Sequence, residues 1–188
     1  WAYGERNIMT TKPVRSIEDM QGLIIRTPTT PSYMKAFEYM GAAPTALALG
    51  DVYTATQQGT IDGHDNSLGT INSGNVQEVQ KYISATNHIA DAWIVGMNTN
   101  KLNGLTENQQ NALHQAAEEC QQWYVDYQAE KDGEMLKLLT DNGMEYNEVP
   151  EEDFQEFVSV SQELYPKFKE MVQNDELFDA TVAFCGKA

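Results

Sequence analysis

Arg6, Arg15 and Arg26 are the only arginines in a chain of 188 residues, and all three fall within its first 26 positions. Arginine presents a planar fork of N–H donors that grips a carboxylate or phosphate through two parallel bonds, whereas lysine is a hydrated point charge. The chain carries 28 Asp and Glu against 12 Lys and Arg. Confining the forks to one segment therefore means either pairing them with the protein's own acids or holding an anion there. Arg26 stands apart from the other two. It follows Gly22-Leu23-Ile24-Ile25, which reads as a short buried strand broken by Thr27-Pro28. Ligands of open α/β sheets bind at the carboxyl ends of strands. Arg26 is thus the leading candidate for gripping an anion, with Arg6 and Arg15 open to surface ion pairing.

A second cluster, Asp62-Gly63-His64-Asp65-Asn66, could supply a metal site or an acid–base pair. A metal needs a third or fourth ligand from elsewhere, and His88 and His114 are the only other histidines. The bland alternative is turn chemistry, in which Asp and Asn side chains bond their own backbone. The chain has no GxSxG and no GxxxxGK[ST], and neither Cys120 nor Cys185 has a neighbouring His to make it a nucleophile. Those two cysteines can form one bond or stay free. The net charge of −16 argues against nucleic acid or an anionic membrane as partner, since both require a basic footprint. No stretch approaches the ~18 apolar residues of a membrane span. The 41% apolar and 10% aromatic shares are enough for a packed core.

The elements that must position these residues alternate between strand and helix. Ser16–Met20 reads as a helical turn capped by Ser16, and residues 23–27 as the strand carrying Arg26. Ser32 caps a helix to about Met40, with Tyr33, Phe37 and Met40 on one face and Gly41 as its stop. Asp51 caps a helix to Gln58, ended by Gly59. Ile61 opens a strand-to-loop passage through Asn66. A helix over about 69–80, a β-like run 82–86 and a buried strand over 92–97 follow. Thr106-Glu107-Asn108-Gln109 fits a capping box. It opens a long helix to Gly143, whose apolar stripe through Trp123, Tyr124 and Tyr127 reads as core. At 1.5 Å per residue that helix is about 50 Å long, so it either kinks near Gly133 or spans two lobes. Residues 144–149 read as a strand and 151–173 as an amphipathic helix that Pro166 kinks or breaks.

An ordered series of segments carries a family resemblance. Gly4-Glu5-Arg6 is followed by an unbroken match from Lys12 to Pro28. Then come Gly41-Ala42-Ala43-Pro44, Asp51-Val52-Tyr53-Thr54-Ala55, Gln58-Gly59-Thr60-Ile61-Asp62-Gly63 with Asp65-Asn66, Glu78-Val79-Gln80-Lys81-Tyr82 and Thr86-Asn87-His88. Over roughly the first 88 residues this closely resembles the TRAP-transporter solute-binding proteins of the DctP type. The remainder is similar to that family's long helix and closing segment, with weaker signatures.

The resemblance implies an α/β, periplasmic-binding-protein-like (type II) two-lobe fold. This chain would be the C-terminal portion, with most of the first lobe missing, in keeping with a processed or truncated start at Trp1. Residues 4–91 would be the first segment of the second lobe. Residues 92–131 would be the crossing strand and long helix, which form the hinge and a remnant of the first lobe. Residues 132–185 would close the second lobe. The implied function is periplasmic capture of a small organic acid and its delivery to the TRAP permease membrane subunits, without catalysis, cofactor, metal or direct membrane insertion. Arg26 would bridge the ligand carboxylate, with Arg6 assisting and Asn66 bonding the same group. Leu49 and Tyr53 would line the ligand; at Leu49 the family often carries an aromatic, so a smaller or more aliphatic solute is expected. Readings from other classes are a hydrolase using Asp62, His64 and Asp65, with or without a metal, and a periplasmic module that presents a ligand state to a sensor.

Overall fold

The computed structural model describes residues 2–184, so Trp1 and Cys185 lie outside the described residues. Six strands form one mixed sheet in the order β3-β2-β4-β1-β5-β6. They are β1 (Ala2–Thr10), β2 (Ile24–Thr27), β3 (Ala43–Ala46), β4 (Gly63–Asn66), β5 (Tyr82–Ala92) and β6 (Glu145–Glu148). β2 runs parallel to β3 and β4, and β5 parallel to β6. β1 is antiparallel to both of its neighbours. The carboxyl ends of β2, β3 and β4 therefore share one edge.

Alternation along the central strands divides the core in two. Met9 faces Val52, Leu68, Ile71, Ile83 and Leu139 on one side of the sheet. Ile8 faces Ile25, Phe37, Met40 and Phe157 on the other. Sequence periodicity missed β1 because the strand is covered on both faces. Arg6, Asn7, Ile8, Met9 and Thr10 are all buried, so no apolar–polar alternation marks it. β3 was missed as well: its Ala-Pro-Thr-Ala sequence is tolerated because it sits at the sheet edge.

The helices are α1 (Pro31–Tyr39), α2 (Val52–Gln57), α3 (Leu68–Ser73), α4 (Thr99–Asn103), α5 (Glu107–Asp141), α6 (Glu151–Gln162), α7 (Tyr165–Val172) and α8 (Asp175–Phe184). α1 starts on a proline whose missing N–H is no loss in a first turn, so Thr30 rather than Ser32 is its N-cap. Gly41 at φ +87° then reverses the chain. The helix expected over 69–80 stops at Ser73, and Asn75 in the left-handed region leads into a 3-10 turn instead. Pro166 breaks the last expected helix as its chemistry requires, standing in the first turn of α7 after α6 has ended.

Two expectations are corrected. The run 92–97 is not a buried strand: β5 ends at Ala92, and Trp93 and Ile94 beyond it are 57% and 96% exposed. The aromatic stripe of α5 is not core either. The helix runs unbroken past Gly133 for 35 residues, and Leu139 is its one buried residue. Trp123 is 60% exposed and stacks on Tyr127 one turn away, with ring centroids 4.8 Å apart. The apolar stripe is present, but Trp123 and Tyr127 stay exposed on it. No helix of the described residues is long and apolar enough to cross a membrane.

Candidate ligand-binding site

Arg26 lies at the carboxyl end of β2 and pairs directly with His64 of β4. Paired residues of neighbouring strands project to the same face, so Arg26 stands beside His64, and Asn66 stands two residues further along that face. Arg26 is only 6% exposed. Its Nε donates to the Leu47 carbonyl at 2.7 Å, and Leu47 is itself tied back by its N–H to Thr27 at 3.3 Å. No carboxylate among the described residues forms a salt bridge with Arg26, in a chain where other cations have such partners. Burial pulls its pKa below the ordinary value, Arg6 pushes the same way, and the nearby charge of Asp65 opposes both. The guanidinium is thus held along its Nε edge by a neutral acceptor. Its two terminal nitrogens have no hydrogen-bond or salt-bridge partner among the described residues.

Asn66 is buried, and its Oδ1 accepts the Ser67 N–H at 3.0 Å. That bond turns the carboxamide so that its NH2 is left without a protein acceptor among the described residues. Arg26 and Asn66 together present donors and no acceptor, which suits a carboxylate.

Arg6 is placed differently. It projects from the opposite face, where Asp65 pairs in register with Ile8. Arg6 Nε donates to Asp65 Oδ2 at 2.5 Å, Nη2 to the Asp65 carbonyl at 2.8 Å, and Nη1 to Asp91 at 3.2 Å. Tyr33 donates to the same Asp91 oxygen at 3.2 Å and lies under the guanidinium, 5.1 Å from ring centroid to Cζ. Burial works against the charged form of Arg6, but the Asp65 hydrogen bond and charge outweigh it and raise its pKa. Burial likewise opposes ionisation of Asp65. His88, whose Nε2 lies 3.5 Å away, and Arg6 together hold its carboxyl far below the usual carboxylate range. Arg15 bonds Asn147 through Nε and Nη2 at 3.2 and 2.9 Å.

The Asp62, His64 and Asp65 side chains are not brought to one point. Asp62 accepts the Ile24 N–H at 2.8 Å. His64 and Asp65 are successive strand residues, and their bonding partners lie on opposite faces. His64 Nδ1 meets Gln80 Oε1 at 2.8 Å, and Gln80 Nε2 donates to Thr56 at 2.9 Å. Since the Gln80 amide spends its N–H2 on Thr56, His64 Nδ1 carries the proton of that bond. Burial lowers the His64 pKa to about 4. Among the described residues, the one group of three acids close enough to share an ion is Glu18, Asp153 and Glu156, which includes none of these three.

Leu49 is 44% exposed on the 3-10 turn that follows Leu47. Tyr53 is the second residue of α2, and its hydroxyl donates to Glu78 at 2.8 Å. Arg26, Asn66, Leu49 and Tyr53 line none of five cavities found among the described residues. Cys120 is an exposed free thiol. Sequence reasoning missed the Asp65–Arg6–Asp91 network, because its members lie 59 and 85 residues apart and no local spacing announces them.

The mixed sheet thus places the Arg26 and Asn66 donors together at the carboxyl ends of β2 and β4, where open α/β sheets hold ligands. The chain belongs to the bacterial extracellular solute-binding proteins of family 7, DctP, whose sequence profile matches residues 1–171. A solute-binding protein of Roseobacter denitrificans is 33% identical over 172 residues, covering 88% of this chain and 53% of that protein. The sialic acid-binding periplasmic protein SiaP of Vibrio cholerae is 27% identical over 168 residues, 89% of this chain and 51% of that protein. Among solved structures, a TRAP periplasmic solute binding protein from a Sulfitobacter species with bound β-D-galacturonate superposes with a TM-score of 0.85 at 27% identity. That match covers 97% of this chain and 59% of the Sulfitobacter chain. The chain thus spans about half the length of the curated relatives it matches.

Proposed function

We propose that this chain is the ligand-gripping lobe of an extracytoplasmic solute-binding protein of a TRAP transporter, which captures a small organic acid in the periplasm and hands it to the membrane permease subunits. The observation that carries this reading is Arg26: a buried guanidinium with no salt bridge among the described residues, pinned by its Nε to Leu47. Because the Nε edge is occupied, the carboxylate meets the two terminal nitrogens end-on, and Asn66 donates a third bond. Relatives support the ligand class. Solved TRAP solute-binding proteins hold β-D-galacturonate, L-galactonate and succinate, and all three are carboxylates. Leu49 and Tyr53 would flank the solute on the turn beside Arg26. Arg6, engaged by Asp65 and Asp91, would brace β1 against β4 and act on the ligand through the field of the site.

The division of labour follows the same reading. Residues 4–91 and 132–185 would form the gripping lobe, and the exposed 92–131 segment would belong to the hinge and to the other lobe, whose closure buries the ligand. Calorimetry with galacturonate, galactonate and succinate tests the central claim. Each charge-assisted bond is worth about 1.5–3 kcal/mol, so Arg26→Ala, which removes two, should weaken the best ligand by roughly a hundredfold or more. Binding within about twofold of the unaltered protein would overturn it.

A further inference from the structure

The outer side of α5 carries a pattern that the lobe itself does not use. Leu113, Ala116, Cys120, Trp123 and Tyr127 succeed one another at spacings of 3, 4, 3 and 4 residues, and all five are exposed. Those are the a and d positions of a heptad repeat, the seam by which one helix packs on another. The seam looks away from the sheet. Val125 and Ala129 line the cavity between α5 and β1, and His114 and Glu118 line the one beside residues 93–95. Ala116 is two residues from both His114 and Glu118, and Tyr127 is two from both Val125 and Ala129. Two residues are about 200° around a helix, so the seam lies opposite the face that α5 turns to its own lobe.

The seam is bounded. Its next positions are Gln109 on one side and Glu130 on the other, so the apolar run covers two heptads. That is too short for a free-standing coiled coil. Here, however, the helix is already formed: the capping box holds its start, and Leu139 seats its far end on the core. Docking therefore costs no helix nucleation. The charges beside the seam select the occupant. Asp126 and Lys131 stand five residues apart on its two flanks, at the g and e positions that pair between parallel helices. Lys131 bonds Glu134 and lies 5.7 Å from the Tyr127 ring centroid, which keeps its ammonium beside the seam.

We propose that this face of α5 docks against the same face of a second copy, the two helices side by side and parallel. Trp123 then packs on the partner subunit's Trp123 and Tyr127 on the partner subunit's Tyr127, and Asp126 of each copy meets the partner subunit's Lys131. The interface is isologous, so it closes at two copies. Antiparallel helices would instead set Glu119 against the partner subunit's Asp126, and the like charges would repel. The seat of Arg26 and Asn66 takes no part in this contact.

The experiment is sedimentation velocity over a series of concentrations of the full-length protein, in reducing buffer so that Cys120 cannot cross-link copies. A reversible monomer–dimer equilibrium at micromolar protein is expected. Trp123→Glu puts a charge into the middle of the seam and should weaken the dimer at least tenfold. Gln122→Glu puts the same charge one residue away, off the seam, and should leave the dimer unchanged. Asp126→Lys alone should weaken it, and Asp126→Lys combined with Lys131→Glu should restore it. Gln122, Trp123 and Asp126 are exposed, so these variants should fold, and circular dichroism checks that they do. The proposal is overturned by any of three results: a monomer at every concentration up to millimolar, a dimer that folded Trp123→Glu leaves intact, or a dimer that Asp126→Lys strengthens.

Discussion

Mild acid should destabilise this protein through one imidazole before most carboxylates begin to titrate. His64 is fully buried, bonded through Nδ1 to Gln80. Burial lowers its pKa from 6.5 to about 4, with Arg26 and Arg6 adding to the effect and Asp65 and the Gln80 bond opposing it. In the unfolded chain the ring returns to about 6.5. Between those two values the unfolded state takes up a proton that the folded state refuses. The stability linked to His64 is therefore intact above about pH 6.5 and is lost as pH falls toward about 4, where the folded ring protonates too. The whole gap corresponds to about 3 kcal/mol, and the interval from pH 7 to 5 to about 2 kcal/mol. Urea unfolding followed by circular dichroism at several pH values in that interval measures it. His64→Gln, whose amide does not titrate, should lose about 2 kcal/mol less than the unaltered protein across the interval, because every other group contributes equally to both. Parallel losses in the two proteins, or an NMR titration placing His64 above pH 6, would refute the burial argument.

Gly63→Ala should cost about 3 kcal/mol or more, since a β-carbon there runs into the Met9 carbonyl and Thr10 Cγ2. A melting temperature within about 2 °C of the unaltered protein would contradict this. Asp65→Asn should cost about 3–5 kcal/mol at pH 7, as it strips a buried Arg6 of its main counter-charge. The Asp65 carboxyl is depressed in the fold, so the stability it contributes is present above about pH 4 and lost below it. A loss under about 1 kcal/mol in urea unfolding at pH 7 would count against that pairing. Thr106→Ala removes a partner from the capping box, where Gln109 Oε1 accepts the Thr106 N–H at 3.0 Å and its hydroxyl at 3.1 Å. It should cost about 1 kcal/mol, visible as faster amide exchange confined to the first turn of α5.

The candidate site was legible to different depths. Arg26 could be found because it ends an apolar run and because arginines are scarce. Both signals are local, and an arginine closing a buried strand reaches the sheet edge whatever surrounds it. Asn66 carried no such signal. Its five-residue context reads as a turn, and only the resemblance to a family singled it out; the structure makes that context the strand β4, buried throughout. The aromatic stripe of α5 was legible as a pattern but not as a place, because periodicity tells which residues share a face and not what lies opposite.

The sequence by itself determined the elements whose causes are local. These are the break before Pro166, the capping box at Thr106, the glycine stops at Gly41 and Gly59, and the strand that presents Arg26. Only the tertiary structure decided which charges are spoken for. Arg6 and Arg26 look alike in sequence, twenty residues apart with an apolar residue close by. Yet pairing with β4 turns one toward Asp65 and the other toward a backbone carbonyl. Strand register, which depends on residues far apart in the chain, assigns each side chain to a face. That assignment leaves one guanidinium neutralised and the other open.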